Sequence, residues 1–367
     1  MRLTPIRKLI IFESNPDFAD NTYWLFKYIV ETKAFDGYKL VWFMNDMKKR
    51  RRTLCGAPIT CVYHGEGNML QKIRRVYYEY SASIIIDCNI CVHKSREGQV
   101  RIYLGHGMGI KKVLSYICWV GDCDAFLTMG EGFHERYSQV TKSPLVPFGF
   151  PRNEVLTAIS ERENDKYIVW MPTYRQHKNR EDMSIENKFP FGIPAIKTND
   201  GLELVKKCLS ECGMKLLLRP HPSQDLSVFK VEDGTEIVIA DDRYLGAEGI
   251  TLYELLASSS ALITDYSSVY YDYLLTERPI GLNFEDAEEY AAEYGLWYDD
   301  VRMSLPGQLI YTAEEMADFI RKVASGEDEY LEKRRALVSS YGMEQRPSCE
   351  LIVNFLKDAE KSKGAIK

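Results

Sequence analysis

The sequence predicts an α/β chain of two domains, each a parallel sheet covered by helices, and three observations predict it. Short apolar runs alternate with segments of helical spacing, the pattern of strands joined by covering helices. The alternation breaks at Phe148-Gly149-Phe150-Pro151-Arg152-Asn153 and then restarts. At 367 residues, 45% hydrophobic and 27% charged, the chain can bury two large cores and lacks the composition of a disordered or fibrous protein.

In chain order, Lys8 to Phe12, Leu40 to Phe43, Ile59 to Tyr63, Ile84 to Ile86, Ile102 to Leu104 and Phe126 to Thr128 are expected as buried strands. After the break come Tyr167 to Met171, Lys215 to Leu218, Glu236 to Ile239, Ala261 to Thr264 and Pro279 to Asn283. A second α/β domain therefore begins near residue 160, dividing the chain into 1–155 and 156–367. Two such domains suggest a cleft, with sites where loops leave the carboxyl ends of strands.

The motifs that carry chemistry fall at such ends. The run Ala261-Leu262-Ile263-Thr264 passes directly into Asp265-Tyr266-Ser267-Ser268 and then a helical segment. A first helical turn has N–H groups without intrahelical partners and the positive end of the macrodipole, so Ser267 and Ser268 add hydroxyl donors where an anion prefers to sit. An ordinary Asp/Ser cap is the alternative. His106 follows a strand inside Gly105-His106-Gly107-Met108-Gly109, where glycines let a ligand approach the backbone. His221 follows another inside Arg219-Pro220-His221-Pro222, and Thr173 and Arg175 follow a third inside Met171-Pro172-Thr173-Tyr174-Arg175. Each could be only a turn residue. Their recurrence after separate strands favours an anion site: Arg offers a bidentate fork to phosphate oxygens, and His donates to an oxyanion or takes a proton near neutral pH.

The net charge of −6 argues against bulk attraction to nucleic acid. The five cationic residues Lys48-Lys49-Arg50-Arg51-Arg52, followed by Lys72, Arg74 and Arg75, make a local basic patch, either a solvated face or an attraction for anionic lipid head groups or a polyanionic acceptor. Nine cysteines without a dense framework fit reduced thiols, and Cys88-Asn89-Ile90-Cys91 has no second pair that would suggest zinc. No apolar run is long enough to span a bilayer and the start does not read as a signal peptide, so the chain is expected to stay in the cytoplasm. Asp122-Cys123-Asp124 has the DxD spacing of metal-dependent glycosyltransferases, but it precedes its strand instead of following it.

Taken in order, these motifs resemble those of the CDP-glycerol:poly(glycerophosphate) glycerophosphotransferases, which make teichoic acid and related capsular polymers. Gly105-His106-Gly107-Met108-Gly109-Ile110-Lys111-Lys112 is similar to the family's Trp-His-Gly-Thr-Pro-Leu-Lys, and Gly149-Phe150-Pro151-Arg152-Asn153 to its Gly-Tyr/Phe-Pro-Arg-Asn. Met171 to Arg175, Arg219 to Pro222, Leu262 to Ser268, and finally Asp272-Tyr273 and Arg278-Pro279-Ile280 continue the resemblance over about residues 100–290. Leu104-Gly105 stands for the usual Trp before His106, and Met108-Gly109 for Thr-Pro, so that loop's donor or acceptor edge is altered.

The resemblance implies a GT-B architecture, two Rossmann-like domains facing across a cleft, with the nucleotide held mainly by the C-terminal domain. It implies transfer of an alditol phosphate, most simply glycerol phosphate, from a CDP-linked donor to a hydroxyl of a polymer or lipid-linked acceptor, with CMP leaving. CDP-ribitol is the alternative donor, and a GT-B glycosyltransferase using a nucleotide sugar the alternative enzyme; a module that only binds an anionic polymer is the alternative outside catalysis. On this basis His106 is the general base, while His221 and Arg219 meet the donor phosphates. Ser267 and Ser268 grip the diphosphate, Thr264 and Asp265 shape their turn, and Arg152, Asn153, Thr173 and Arg175 line the cleft. No metal or other cofactor is expected, and an anionic membrane surface is an expected partner.

Overall fold

The computed structural model describes residues 4–89, 91–112, 120–139, 141–159, 166–173, 190–221, 224–230, 234 and 236–364. The chain forms two compact units: Met1–Met108, Leu114–Glu154 and Tyr341–Lys367 make the first, Gly109–Val113 and Val155–Ser340 the second. The return of the last segment to the first unit is a feature that a single division at 155/156 does not contain.

The first unit is built on a seven-stranded sheet. Its strands are β1 (Arg7–Glu13), β2 (Lys39–Met44), β5 (Thr60–Tyr63), β6 (Ala82–Asp87), β7 (Val100–Tyr103), β8 (Ala125–Leu127) and β9 (Leu145–Val146). A two-stranded hairpin, β3 (Thr53–Leu54) with β4 (Ala57–Pro58), stands apart. The order is β5-β2-β1-β6-β7-β8-β9 and every pairing in the sheet is parallel. Parallel strands are covered on both faces, which is why they read as continuous apolar runs. Ile10 lies opposite Leu40 on one side and Ile84 on the other. Alternate residues serve opposite faces: Leu9 and Ile11 join Val41, Phe43, Val62 and Ile85 beneath Tyr78 of helix α2 (Met69–Ser81). Phe12 turns the other way, 5.0 Å from Phe26 of helix α1 (Asp20–Thr32) and 5.8 Å from Trp42. Each such large apolar side chain contributes about 2 kcal/mol on burial.

The helix Ser348–Lys363 completes this unit, packing against α1, β6 and β7. The Glu154 carboxylate accepts the Cys349 N–H at 2.7 Å near its start, and at its far end Lys363 reaches Asp124 at 2.6 Å and the Gln99 carbonyl at 2.8 Å. Between them the Tyr38 hydroxyl donates to Glu360 at 2.6 Å.

The second unit carries a six-stranded sheet of β10 (Tyr167–Met171), β11 (Lys215–Leu218), β12 (Ile237–Ile239), β13 (Ala261–Thr264), β14 (Ile280–Leu282) and β15 (Gln308–Leu309). The order β12-β11-β10-β13-β14-β15 is again parallel throughout. Ile168, Trp170, Leu216, Leu218 and Ile263 bury one face with Val205 and Leu209 of the helix Asn199–Cys212 and Met316 and Ile320 of the helix Ala313–Ser325. Thr198 caps the first of these helices, and Thr312 with Glu315 forms a capping box on the second. Each run expected as a strand forms one, with ends shifted by a residue or two. In both sheets the strand order reverses once, between β1 and β6 and between β10 and β13. At such switch points loops diverge and leave room for a ligand at the carboxyl edge.

Candidate active site

At the first switch point the end of β1 meets the loops that follow β6 and β7. The buried Glu13 carboxylate accepts the N–H groups of Cys88 and Asn89 at 3.2 and 3.1 Å, tying the β6 loop to β1. The Gly105 carbonyl beyond β7 accepts from the Asn21 amide at 2.8 Å and from the Cys88 thiol at 2.9 Å. Gly105 sits at φ +62° and Gly107 at +144°, so glycine at both sites frees the backbone to turn His106 outward, where it is exposed. Burial pushes the Cys88 thiol well above its usual range, so it serves as a donor and not as a thiolate.

Arg152 and Asn153 lie in the same unit and are buried. The Arg152 guanidinium pairs with Asp20 at 2.5 Å and lies over the Phe150 ring at 5.3 Å, while its backbone N–H donates to Asn21. Asn153 opens the short helix Asn153–Ala158 and donates its N–H to Phe150. The structure therefore gives Arg152 and Asn153 a buried, supporting place within their own unit.

At the second switch point Asp265 and Thr173 join the ends of β13 and β10. The two Asp265 carboxylate oxygens accept the Thr173 N–H at 2.9 and 3.1 Å and its hydroxyl at 3.0 Å. Beside them the Thr264 hydroxyl donates to the Met171 carbonyl at 2.8 Å, and the Asn283 N–H to the Thr264 carbonyl at 3.0 Å. This holds the turn that presents Ser267 and Ser268, both half-buried. Ser268 is the N-cap of the helix Val269–Leu274 and makes no side-chain cap bond, while the Ser267 hydroxyl faces the Val269 N–H at 3.5 Å. Thr264 and Asp265 thus bond the strand ends from which this turn leaves.

Arg219 also lies in this unit, buried at the end of β11, donating to the Ala240 carbonyl at 3.0 Å and to Asp242 at 2.5 Å. Two residues on, His221 is exposed and its carbonyl accepts the Gln224 N–H. The loop after His106 belongs to this unit as well: Lys112 N–H bonds to Gly295, and Trp297 N–H to Ile110. It sets the Lys111 ammonium 5.7 and 5.6 Å from the Tyr290 and Tyr294 rings, and Tyr290 stacks on Tyr266 at 3.9 Å. Arg175 lies outside the described residues.

The structure brings Thr173, Thr264, Asp265, Ser267 and Ser268 into one cluster. Asp20, Asn21 and Lys111 received no role from the sequence; Lys111 stands inside a quoted motif, whereas nothing in the run around Asp20 and Asn21 marks it. In the DxD segment, Asp124 is engaged by Lys94 at 3.2 Å, Lys363 at 2.6 Å and the Arg101 N–H at 2.8 Å. Burial would raise the Asp124 carboxyl, but Lys363 and these other donors hold it below its usual range. Among the described residues no group of three His, Cys, Asp or Glu side chains could hold a metal ion. The described cysteines form no disulfide.

Comparison with known proteins bears on these motifs. The family described as CDP-glycerol:poly(glycerophosphate) glycerophosphotransferase matches residues 128–354. The chain is 26% identical over 220 residues to the teichoic acid glycerol-phosphate transferase of Staphylococcus aureus (strain NCTC 8325 / PS 47), covering 55% of this chain and 51% of that one. It thus spans about half the length of that curated relative. It is 24% identical over 357 residues to the teichoic acid poly(glycerol phosphate) polymerase of Bacillus spizizenii (strain ATCC 23059 / NRRL B-14472 / W23), covering 86% and 83%. The solved wall teichoic acid polymerase TagF superposes with a TM-score of 0.71 at 17% identity, over 98% of this chain and 90% of that one. At that identity the likeness speaks for the fold, and the fold is the expected GT-B class.

Proposed function

The chain belongs to the CDP-glycerol:poly(glycerophosphate) glycerophosphotransferase family, and we propose that it moves glycerol phosphate from CDP-glycerol to a hydroxyl of a teichoic-acid-like or capsular acceptor. The acceptor oxygen forms a bond to the donor's distal phosphorus, the phosphorus–oxygen bond to CMP breaks, and His106 takes the acceptor proton. The single observation that carries this reading is the hydroxyl-bearing turn at Ser267 and Ser268, held at a switch point by the Asp265–Thr173 bonds. Phosphoryl transfer asks for in-line positioning and donors aimed at spread-out negative charge, which such a turn supplies with N–H and O–H groups. His221, exposed at the end of β11, stabilises the leaving CMP, and Arg219 supports that loop through Ala240 and Asp242.

The transfer needs no metal ion in this reading, because hydroxyls, histidine and helix N–H groups meet the diphosphate charge; the engagement of Asp124 by two lysines supports it. The test is a panel of CDP-glycerol, CDP-ribitol and UDP- or GDP-sugars, assayed for nucleotide release with and without EDTA. CMP release from CDP-glycerol that survives EDTA is the expected outcome. Release from a sugar nucleotide, dependent on Mn²⁺ or Mg²⁺ and abolished by Asp122→Asn or Asp124→Asn, overturns it. A clear preference for CDP-ribitol would change the alditol and leave the reaction class standing.

We also infer attachment to an anionic membrane surface. Among the described residues no helix is long and apolar enough to cross a membrane. Yet Met69, Leu70 and Ile73 of α2 are 72%, 77% and 47% exposed, with Lys72 and Arg74 on the same helix. Lys48 to Arg52 are exposed beyond the neighbouring strand β2. Apolar side chains beside cations suit the boundary between head groups and acyl chains, where each basic residue contributes on the order of 1 kcal/mol.

A further inference from the structure

Asn21 is wholly buried, the second residue of α1, and belongs to none of the recognised motifs. Its carboxamide works in two directions at once. The NH₂ group donates to the Gly105 carbonyl at 2.8 Å, and the oxygen accepts the Arg152 N–H at 3.3 Å. One side chain therefore joins the loop that carries His106 to the Gly149–Asn153 loop. An amide has a donor and an acceptor on one small planar group, and neither an apolar residue nor an ionised carboxylate can make both bonds. A buried amide is tolerated because both ends are satisfied, and losing one partner leaves a polar group stranded without water.

The surroundings reinforce the arrangement. Asp20, at φ +60° in a conformation unusual for a non-glycine residue, accepts the Asn21 N–H at 2.8 Å and the Arg152 guanidinium at 2.5 Å. The Cys88 thiol gives the Gly105 carbonyl its second donor. With two donors on its oxygen, the Gly105 peptide plane is fixed, and that plane sets the direction in which the next residue, His106, leaves the chain.

We propose that Asn21 is a positioning residue for the transfer, acting through the Gly105 carbonyl to aim His106 at the acceptor. This rests on the reading of His106 as the base. Asn21→Asp is the sharpest test when it is assayed up the pH scale, where the buried carboxyl has lost its proton: it then keeps the shape and the acceptor for Arg152 while replacing the donor to Gly105 with an oxygen that repels it. Positioning errors of this kind lower kcat by about 10- to 100-fold. The KM for CDP-glycerol and its calorimetric affinity should stay within about 3-fold, because the donor turn lies in the other unit.

A folded Asn21→Asp enzyme with kcat within about 2-fold of the parent overturns the proposal, as does a parallel loss of kcat and donor affinity. If Asn21→Asp does not fold, Cys88→Ala decides, because it removes the other donor to the same carbonyl: a loss of kcat with donor binding intact supports the role, and an unchanged kcat ends it. His106→Ala run alongside separates the two ideas. Transfer that survives in His106→Ala defeats the base reading itself; transfer lost there but kept in Asn21→Asp defeats only the role of Asn21.

Discussion

His106 and His221 stand on different units and should fail differently. His106, the base in the proposed reading, leaves a glycine-flanked turn whose backbone is pinned at Gly105. His106→Ala should abolish transfer while calorimetric affinity for CDP-glycerol stays within about 3-fold, and His221→Ala should weaken both. Donor binding lost equally in the two variants would end that division of roles. His64 makes a separate prediction about stability. Burial first, then the nearby Arg75 and His93 charges, push its imidazole down from 6.5 to about 4. Below the unfolded value the unfolded chain takes a proton that folded His64 refuses, so stability falls as pH drops from 6.5 toward 4 and this contribution levels off below. Thermal unfolding across that window should fall less steeply for His64→Gln. Identical profiles for the two proteins would remove His64 from the account.

The strap between β10 and β13 is the element on which the proposed donor turn would depend. Asp265→Asn weakens a carboxylate that accepts three bonds from Thr173, and charge-assisted bonds of this kind are worth about 1.5–3 kcal/mol. It should reduce CDP-glycerol affinity about 10-fold or more, while Thr173→Val, which removes only the hydroxyl, should cost less. Calorimetry showing parental affinity for Asp265→Asn would mean that the strap does not shape the turn. The strands on either side were legible because burial on both faces writes them as unbroken runs such as Ala261-Leu262-Ile263. The two-residue edge strands β9 and β15 were not: Leu145, Val146, Gln308 and Leu309 are only half-buried and too few to show a period. Ser267 and Asp265 could be read from a strand running into a turn. Asn21 could not, since its partners lie 84 and 131 residues away and local sequence carries no record of them. The helix Ser348–Lys363 has an amphipathic pattern that says a face is buried but not against what.

The surface that would meet a membrane is assembled from neighbouring strands: the cationic loop follows β2, and the exposed start of α2 follows β5. Attraction through the cations is screened over about 8 Å in physiological salt, whereas insertion of Met69, Leu70 and Ile73 is not. In vesicle co-sedimentation, changing Lys48, Lys49, Arg50, Arg51 and Arg52 to Gln should remove the salt-sensitive part of binding to anionic vesicles. Changing Met69, Leu70 and Ile73 to Ser should remove what persists at high salt. If the parent ignores anionic vesicles even at low salt, the patch is a solvated face or an acceptor surface. The helix Ser348–Lys363, meanwhile, imposes a schedule on biosynthesis. A ribosome makes it only after the whole second unit, so α1, β6 and β7 wait for their cover until that unit has been synthesised. The first unit therefore closes after the second has been made, and a chain cut just after Ser340 would hold a finished second unit and a first one with apolar surface open to quality-control proteases.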